Sequence, residues 1–261
     1  MRSHGAPRHI GLARTLSKLG YCSRSRATEL ICAGRVSLNG KVCRDPETPV
    51  LGERSQIAID GKVIEPQNKI YLMLNKPSGI VTTASDEKGR DTVYTILNPS
   101  SASKVPRQGE SLPSVAPVGR LDKASEGLLL LTNDSEWAAR ITAPETHLPK
   151  TYHVQVGAIA EEESIQALIR GVRAKDGEVL RAKQARRLRA GAKNCWLEIN
   201  LDEGRNRQIR RMIEALGFDV LRLVRVAIGP LLLGDLGKGS HRALTAQEKK
   251  MLDRAMRNKS S

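Results

Sequence analysis

The sequence predicts an α+β chain built of two units. Two observations carry this. Residues 10–66 read as two short helices followed by short strands that meet at Asn39-Gly40 and Asp60-Gly61. Beyond residue 69, apolar strand runs recur between amphipathic helical stretches up to about residue 258. Pro66-Gln67-Asn68 reads as the linker between them.

In the first unit, Leu12, Leu16 and Leu19 recur at helical spacing, and Gly20 stops that helix. Ser23 is placed to cap a second helix that runs through Ala33 and ends at Gly34. Val36-Ser37-Leu38 is a short strand, and Asn39-Gly40 is a strong hairpin turn. Gln56–Asp60 and Lys62–Ile64 form a further strand pair. Residues 1–9 are polar and basic and are expected to be disordered.

The second unit opens with the strand Ile70–Asn75, a Lys76-Pro77-Ser78-Gly79 turn and a second strand, Ile80–Thr83. Lys76 reads as a turn lysine and Pro77 as a turn former. Asn98–Pro113, rich in Ser and Pro, reads as a surface loop. Four consecutive leucines, Leu128 to Leu131, predict a strand buried on both faces. Asn133-Asp134-Ser135 then caps a helix over Glu136–Ile141. In Thr151–Val156 the residues Tyr152, Val154 and Val156 share one face, which turns Tyr152 toward core or cleft. Glu161–Arg170 is helical, and Cys195–Leu201 is a strand. Ile209, Met212, Ile213 and Leu216 fall at helical spacing, with Arg207, Arg210 and Arg211 as a basic edge. Leu221–Ile228 is expected as the final core strand. Thr245-Ala246-Gln247-Glu248 is a capping box that starts a helix reaching about Arg257.

Composition narrows the class of function. The chain has 261 residues and a formal net charge of +15, an excess that favours a polyanionic partner. No apolar run approaches the ~20 residues that span a bilayer, and Met1 to Arg8 lack the apolar core of a signal peptide. A soluble cytoplasmic protein bound to nucleic acid is expected, with no membrane partner. Aromatics are 3% of the chain, too few for a reader that stacks several bases on aromatic platforms. Cys22, Cys32, Cys43 and Cys195 lack zinc-site spacing, and most are expected to be small buried residues in a reducing compartment. The five histidines form no ligand pair at helical spacing. No metal and no cofactor are inferred.

The most informative stretch is Pro117-Val118-Gly119-Arg120-Leu121-Asp122-Lys123-Ala124-Ser125-Glu126-Gly127, which runs into the four leucines. A carboxylate at the lip of a core strand needs a reason, because burying it unpartnered is costly. A capping role is weak, since no helix follows directly. The stretch resembles the active-site signature of the pseudouridine synthases, specifically the branch acting on ribosomal RNA. The resemblance extends to Lys76-Pro77, to Lys150-Thr151-Tyr152 and to Gln208-Ile209-Arg210. It spans residues 10 to 255, because the first unit resembles the alpha-L RNA-binding module at Leu16, Gly20, Ser23 to Arg26, Glu29 to Ile31, Gly34, Val36 and Asn39-Gly40.

The resemblance implies a large mixed, mainly antiparallel sheet flanked by helices, and isomerisation of a uridine after it flips into a pocket. It makes Asp122 the catalytic carboxylate, acting on the sugar either as nucleophile or as proton acceptor. It sets Tyr152 beside Asp122, and it makes Arg210 the guanidinium that pairs with Asp122. Leu223 falls near the family's apolar pocket position. If Gly119–Asp122 is extended, Arg120 shares a face with Asp122 and helps flip the base or holds phosphate. Arg207 and Arg211 are a solvated face or phosphate contacts. In the first unit the expected RNA contacts are Arg14, Lys18, Arg24, Arg26, Arg35 and Lys41, with an ordinary solvated basic face as the alternative. The expected partner of this monomer is ribosomal RNA or a ribosome-assembly intermediate. A non-catalytic assembly factor on the same fold and a synthase acting on transfer RNA are the rival readings.

Overall fold

Short-range sequence signals account for most of the first unit. A computed structural model describes residues 10–51, 55–83, 89–97 and 115–257. The expectations for residues 1–9 and for Asn98–Pro113 lie outside the described residues. The first unit runs to Ile70 and, among the described residues, takes in 115–116 and Thr132–Trp137, so the first residue of the strand Ala116–Val118, the last of the strand Glu126–Thr132 and the start of the helix Ser135–Thr142 belong to it. It contains β1 (Ile10–Gly11), α1 (Leu12–Lys18), α2 (Arg24–Cys32), β2 (Val36–Leu38), β3 (Lys41–Cys43), β4 (Pro49–Val50), β5 (Ile57–Ile59) and β6 (Lys62–Val63). The Ser23 hydroxyl accepts from the Arg26 amide at 3.2 Å, so it does cap α2. Asn39 and Gly40 both take positive φ (50° and 80°), the requirement of a type I′ turn. Asp60 and Gly61 repeat the device at 49° and 79°. β2 and β5 are the centre of a four-stranded sheet, β3-β2-β5-β6. Leu12, Leu16, Ile31 and Val36 are fully buried in its core.

The second unit comprises β7 (Tyr71–Lys76), α3 (Val93–Leu97), β8 (Ala116–Val118), β9 (Glu126–Thr132), α4 (Ser135–Thr142), β10 (Lys150–Val156), α5 (Glu162–Arg170), β11 (Val172–Arg173), β12 (Val179–Leu180), β13 (Gln184–Ala190), β14 (Cys195–Leu201), α6 (Gln208–Ala215), β15 (Val220–Ile228), β16 (Leu231–Leu232), β17 (His241–Ala243) and α7 (Ala246–Arg257). Its main sheet runs β13-β14-β10-β15-β9-β7-β17, with β16 on β15 and β8 on β9. β10 pairs antiparallel with β14 and β15, while β15 and β9 run parallel. Every residue of β9 is buried, which is why its pattern is continuous rather than alternating.

β14 shows the opposite case. Cys195, Leu197, Ile199 and Leu201 face the core, and Trp196, Glu198 and Asn200 face outward. The core face of β10 and β14 packs against Ile165 and Leu168 of α5 and Ile209, Met212 and Ile213 of α6. Thr245 and Glu248 form the reciprocal capping box, with bonds of 2.8 and 3.1 Å. The Asp134 carboxylate caps α4 by accepting from the Trp137 amide.

Three expectations fail. Residues 80–83 form no strand: only Val81 bridges, to Thr92. Thr82 instead spends its hydroxyl on the backbone of Leu121. β15 is not the last strand, because the short β17 pairs with β7 at the sheet edge. Of the cysteines only Cys195 is buried; Cys32 is exposed and Cys22 and Cys43 are half-buried, since they sit at the surface of a small unit with little interior. Among the described residues, no helix is long and apolar enough to cross a membrane, and no three His, Cys, Asp or Glu residues cluster to hold a metal ion.

Candidate active site

Two glycines set the ends of the loop that carries Asp122. Gly119, at φ +74°, turns the chain off β8. Gly127 sits at φ +100°, and a Cβ there would lie 2.2 Å from the carbonyl oxygen of Arg225. Glycine is therefore required where β9 meets β15. Between them, the Ser125 amide donates to the Asp122 carbonyl at 2.9 Å and closes a tight turn. Arg120 and Asp122 follow this turn, and both line the same cavity. Arg120 is exposed.

The loop rests on a residue that sequence reasoning undervalued. Lys76 is not a surface turn lysine but a fully buried one. Its ammonium donates to the carbonyls of Ser125 (2.8 Å), Asp122 (3.1 Å), Pro77 (3.1 Å) and, more weakly, Lys123 (3.4 Å). The signal was present: period-2 alternation places Lys76 on the face of Leu72 and Leu74. Burial pulls its pKa from 10.5 to about 8, opposed by the negative charge of Asp122 and Glu126. The Gly79 amide and Thr82 hydroxyl hold the same loop through the carbonyls of Lys123 and Leu121, both at 2.8 Å.

Asp122 opens onto a cavity of about 600 Å³, a size suited to a nucleotide-scale ligand. Tyr152, Leu223, Lys150 and Arg225 line it, as do the exposed Arg120 and Arg207. Tyr152 packs against the core cluster while facing the cavity. Its cross-strand partner is Arg225 on β15.

The arginines are arranged differently from expectation. The guanidinium facing Asp122 belongs to Arg207, at 3.7 Å, and not to Arg210. Arg207 takes a left-handed φ of 49° at the N-cap of α6, which swings its side chain away from the helix surface. Arg210 donates instead to the Ala124 carbonyl at 3.0 Å, and its Nε is buried without a partner. Burial and the neighbouring Arg207 lower the pKa of Arg210, while Asp122 raises it. Arg210 thus braces the loop and feels the carboxylate through space. Arg211 is not a free phosphate contact. Its guanidinium is taken up by Asp176 (2.5 Å) and Glu178 (2.6 Å), because the turn before β12 brings two carboxylates under α6.

The first unit shows the same sorting. Arg26 pairs with Glu29, Arg35 is held bidentate by Asp60, and Lys18 pairs with Glu136. Arg14, Arg24 and Lys41 are exposed, and no ion pair with a described residue engages them.

The sequence matches the RNA pseudouridylate synthase family over residues 70–215 and the S4 domain over residues 10–54. The chain belongs to the RNA pseudouridylate synthase family. This synthase is 37% identical over 243 residues to ribosomal large subunit pseudouridine synthase B of Bacillus subtilis, covering 92% of this chain and 94% of that one. It is also 37% identical over 248 residues to an uncharacterized RNA pseudouridine synthase of Aquifex aeolicus, with 95% of each chain covered. Among solved structures, a crystal structure of a pseudouridylate synthase superposes with a TM-score of 0.62 at 29% identity, over 93% of this chain and 99% of that one. The synthase is therefore an enzyme with an RNA substrate, and its N-terminal S4 domain is an RNA-binding fold. The non-catalytic reading is set aside.

Proposed function

We propose that this synthase converts a specific uridine of ribosomal RNA to pseudouridine, with Asp122 as the carboxylate that acts on the sugar. The observation that carries this is that Asp122 and Tyr152 line one cavity, with the Arg207 guanidinium 3.7 Å from the Asp122 carboxylate. The ribosomal assignment draws support from the B. subtilis relative, whose name assigns it to the large ribosomal subunit.

The reaction breaks the bond between the sugar's anomeric carbon and N1 of uracil. The base turns, carbon 5 bonds to the same sugar carbon, carbon 5 loses its proton and N1 gains one. Atoms and charge balance within the nucleotide. A base stacked in RNA cannot enter a protein cavity, so base flipping precedes chemistry. Tyr152 offers a ring against the flipped base and a hydroxyl for proton transfer. Leu223 supplies apolar contact, and the exposed Arg120 and Arg207 meet the flanking phosphates. The N-terminal unit, residues 10–66, adds sequence-independent grip through Arg14, Arg24 and Lys41.

Asp122→Asn keeps the size of the side chain and removes its charge. Product formation on ribosomal RNA transcripts should be lost while the fold and RNA binding persist. Turnover near the parent rate in the purified variant would overturn the assignment. Comparing pseudouridine maps of ribosomal RNA from cells with and without the gene tests the substrate class.

A further inference from the structure

Two cations in the cavity pair directly with no carboxylate among the described residues, although Asp202 lines the same cavity. Lys150 opens β10, and period-2 alternation puts it on the same face as Tyr152, two residues away. Both line the cavity. The ammonium of Lys150 is half-buried and makes no hydrogen bond or ion pair with any described residue. Arg225, cross-strand from Tyr152, is only 5% exposed. Its Nε donates to the Leu128 carbonyl at 2.7 Å, which fixes the side chain, while its Nη2 is buried with no partner. Burial lowers the pKa of Lys150, the charge of Arg225 lowers it further, and Asp202 opposes both.

Two desolvated like charges side by side are costly, and the Leu128 carbonyl takes up only the Nε of Arg225. Their arrangement suits an anion that occupies the cavity. A backbone phosphate has the exposed Arg120 and Arg207 of the same cavity available to it. The anion that arises beside Tyr152 is the base itself. When its bond to the sugar breaks, the electron pair stays on N1 and spreads to the two carbonyl oxygens of uracil. The bound uridine is neutral, so a cation here acts more strongly on the detached base than on the substrate, which is the condition for catalysis.

We propose that Lys150 is a catalytic residue of this synthase: its ammonium donates a hydrogen bond to a uracil carbonyl oxygen and holds the negative charge of the base while it is detached, with Arg225 fixed behind it as a positioning charge. The proposal rests on Asp122 as the site of chemistry. No bond at Lys150 forms or breaks, and it keeps its proton throughout.

The test uses the full chain on ribosomal RNA transcripts, with Lys150→Met, Lys150→Arg and, as the control for the underlying reading, Asp122→Asn. Loss of one such donor is expected to slow the single-turnover rate of Lys150→Met at saturating RNA roughly 100-fold. RNA affinity should stay at the parent value, and Lys150→Arg should recover part of the rate. A second substrate, transcribed with 5-fluorouridine, separates electrostatics from packing. Fluorine makes uracil a better-stabilised anion, so loss of the fluorinated nucleoside should be slowed less in Lys150→Met than conversion of uridine is.

Lys150→Gln, which keeps a donor without the charge, carries the same comparison if the Met variant does not fold. A parent-like rate at saturation overturns the proposal. Weakened binding with a parent-like saturated rate overturns it in favour of a backbone contact, and equal slowing on both substrates overturns it in favour of packing. An active Asp122→Asn protein would remove the reading beneath it, whatever Lys150 does.

Discussion

Lys76→Met separates the position of Asp122 from the stability of the fold. The pKa of Lys76 falls from 10.5 to about 8 on folding. That difference amounts to roughly 3 kcal/mol of cost for keeping the charge at neutral pH. Methionine removes this cost and fills a similar volume. It also leaves the carbonyls of Pro77 and Ser125 short of a donor, at about 1–3 kcal/mol each. The two effects nearly offset, so net destabilisation should be about 0–3 kcal/mol, a fall in Tm of at most about 10 °C. Activity has no such offset. The carbonyls of Asp122 and Ser125 lose their anchor, and a shift of about 1 Å in a reacting group costs on the order of 100-fold in rate. Single-turnover conversion should therefore drop by about that factor while thermal melts show a folded protein.

The pH dependence gives a second reading of the same residue. Its folded pKa, about 8, lies below its unfolded value of 10.5. Between those pH values the unfolded chain holds a proton that the folded chain has lost. The group therefore adds stability as pH rises across this window, and the increment should vanish in Lys76→Met. A folded Lys76→Met protein with parent activity, or with the parent's stability rise between pH 8 and 10.5, would refute the reasoning.

Two further outcomes follow. Gly127→Ala should destabilise the protein by several kcal/mol, since its Cβ would meet the Arg225 carbonyl at 2.2 Å, whereas Gly40→Ala, with nothing near, should cost about 1 kcal/mol for its positive φ; chemical denaturation of the two variants compares them directly, and equal costs would contradict the close approach of β9 and β15. Replacing Arg14, Arg24 and Lys41 together by alanine should weaken RNA binding and flatten its log–log salt dependence by about 2, with the saturated rate unchanged; an unaltered salt slope would show that the S4 domain holds no phosphate through them.

Local structure was legible where it depends on neighbours in sequence. The Ser23 cap, the Asn39-Gly40 turn and the Thr245–Glu248 box each use contacts within three residues, and each forms as read. The run Leu128 to Leu131 was legible for another reason: only a strand covered on both faces tolerates four leucines, and β9 is that strand. The short β17 was not legible, because its three residues carry no periodicity and owe their state to β7, whose partners lie about 170 positions earlier in the chain.

Which arginine serves which carboxylate was not legible either. Arg207, Arg210 and Arg211 are close in sequence, and helical periodicity gives them similar directions. Their partners are set by the left-handed N-cap at Arg207 and by Asp176 and Glu178, 33 to 35 residues away from Arg211. The same holds for Lys76, whose partners apart from Pro77 are backbone carbonyls 46 to 49 residues distant. Backbone acceptors carry no residue identity, so no pattern in the loop reveals that Lys76, Thr82 and Arg210 all anchor it. The site therefore divides into two kinds of information. The reacting group and the glycines beside it are written in the loop, where a motif can be read. The groups that aim the carboxylate are written elsewhere in the chain, and only folding brings their donors to its carbonyls.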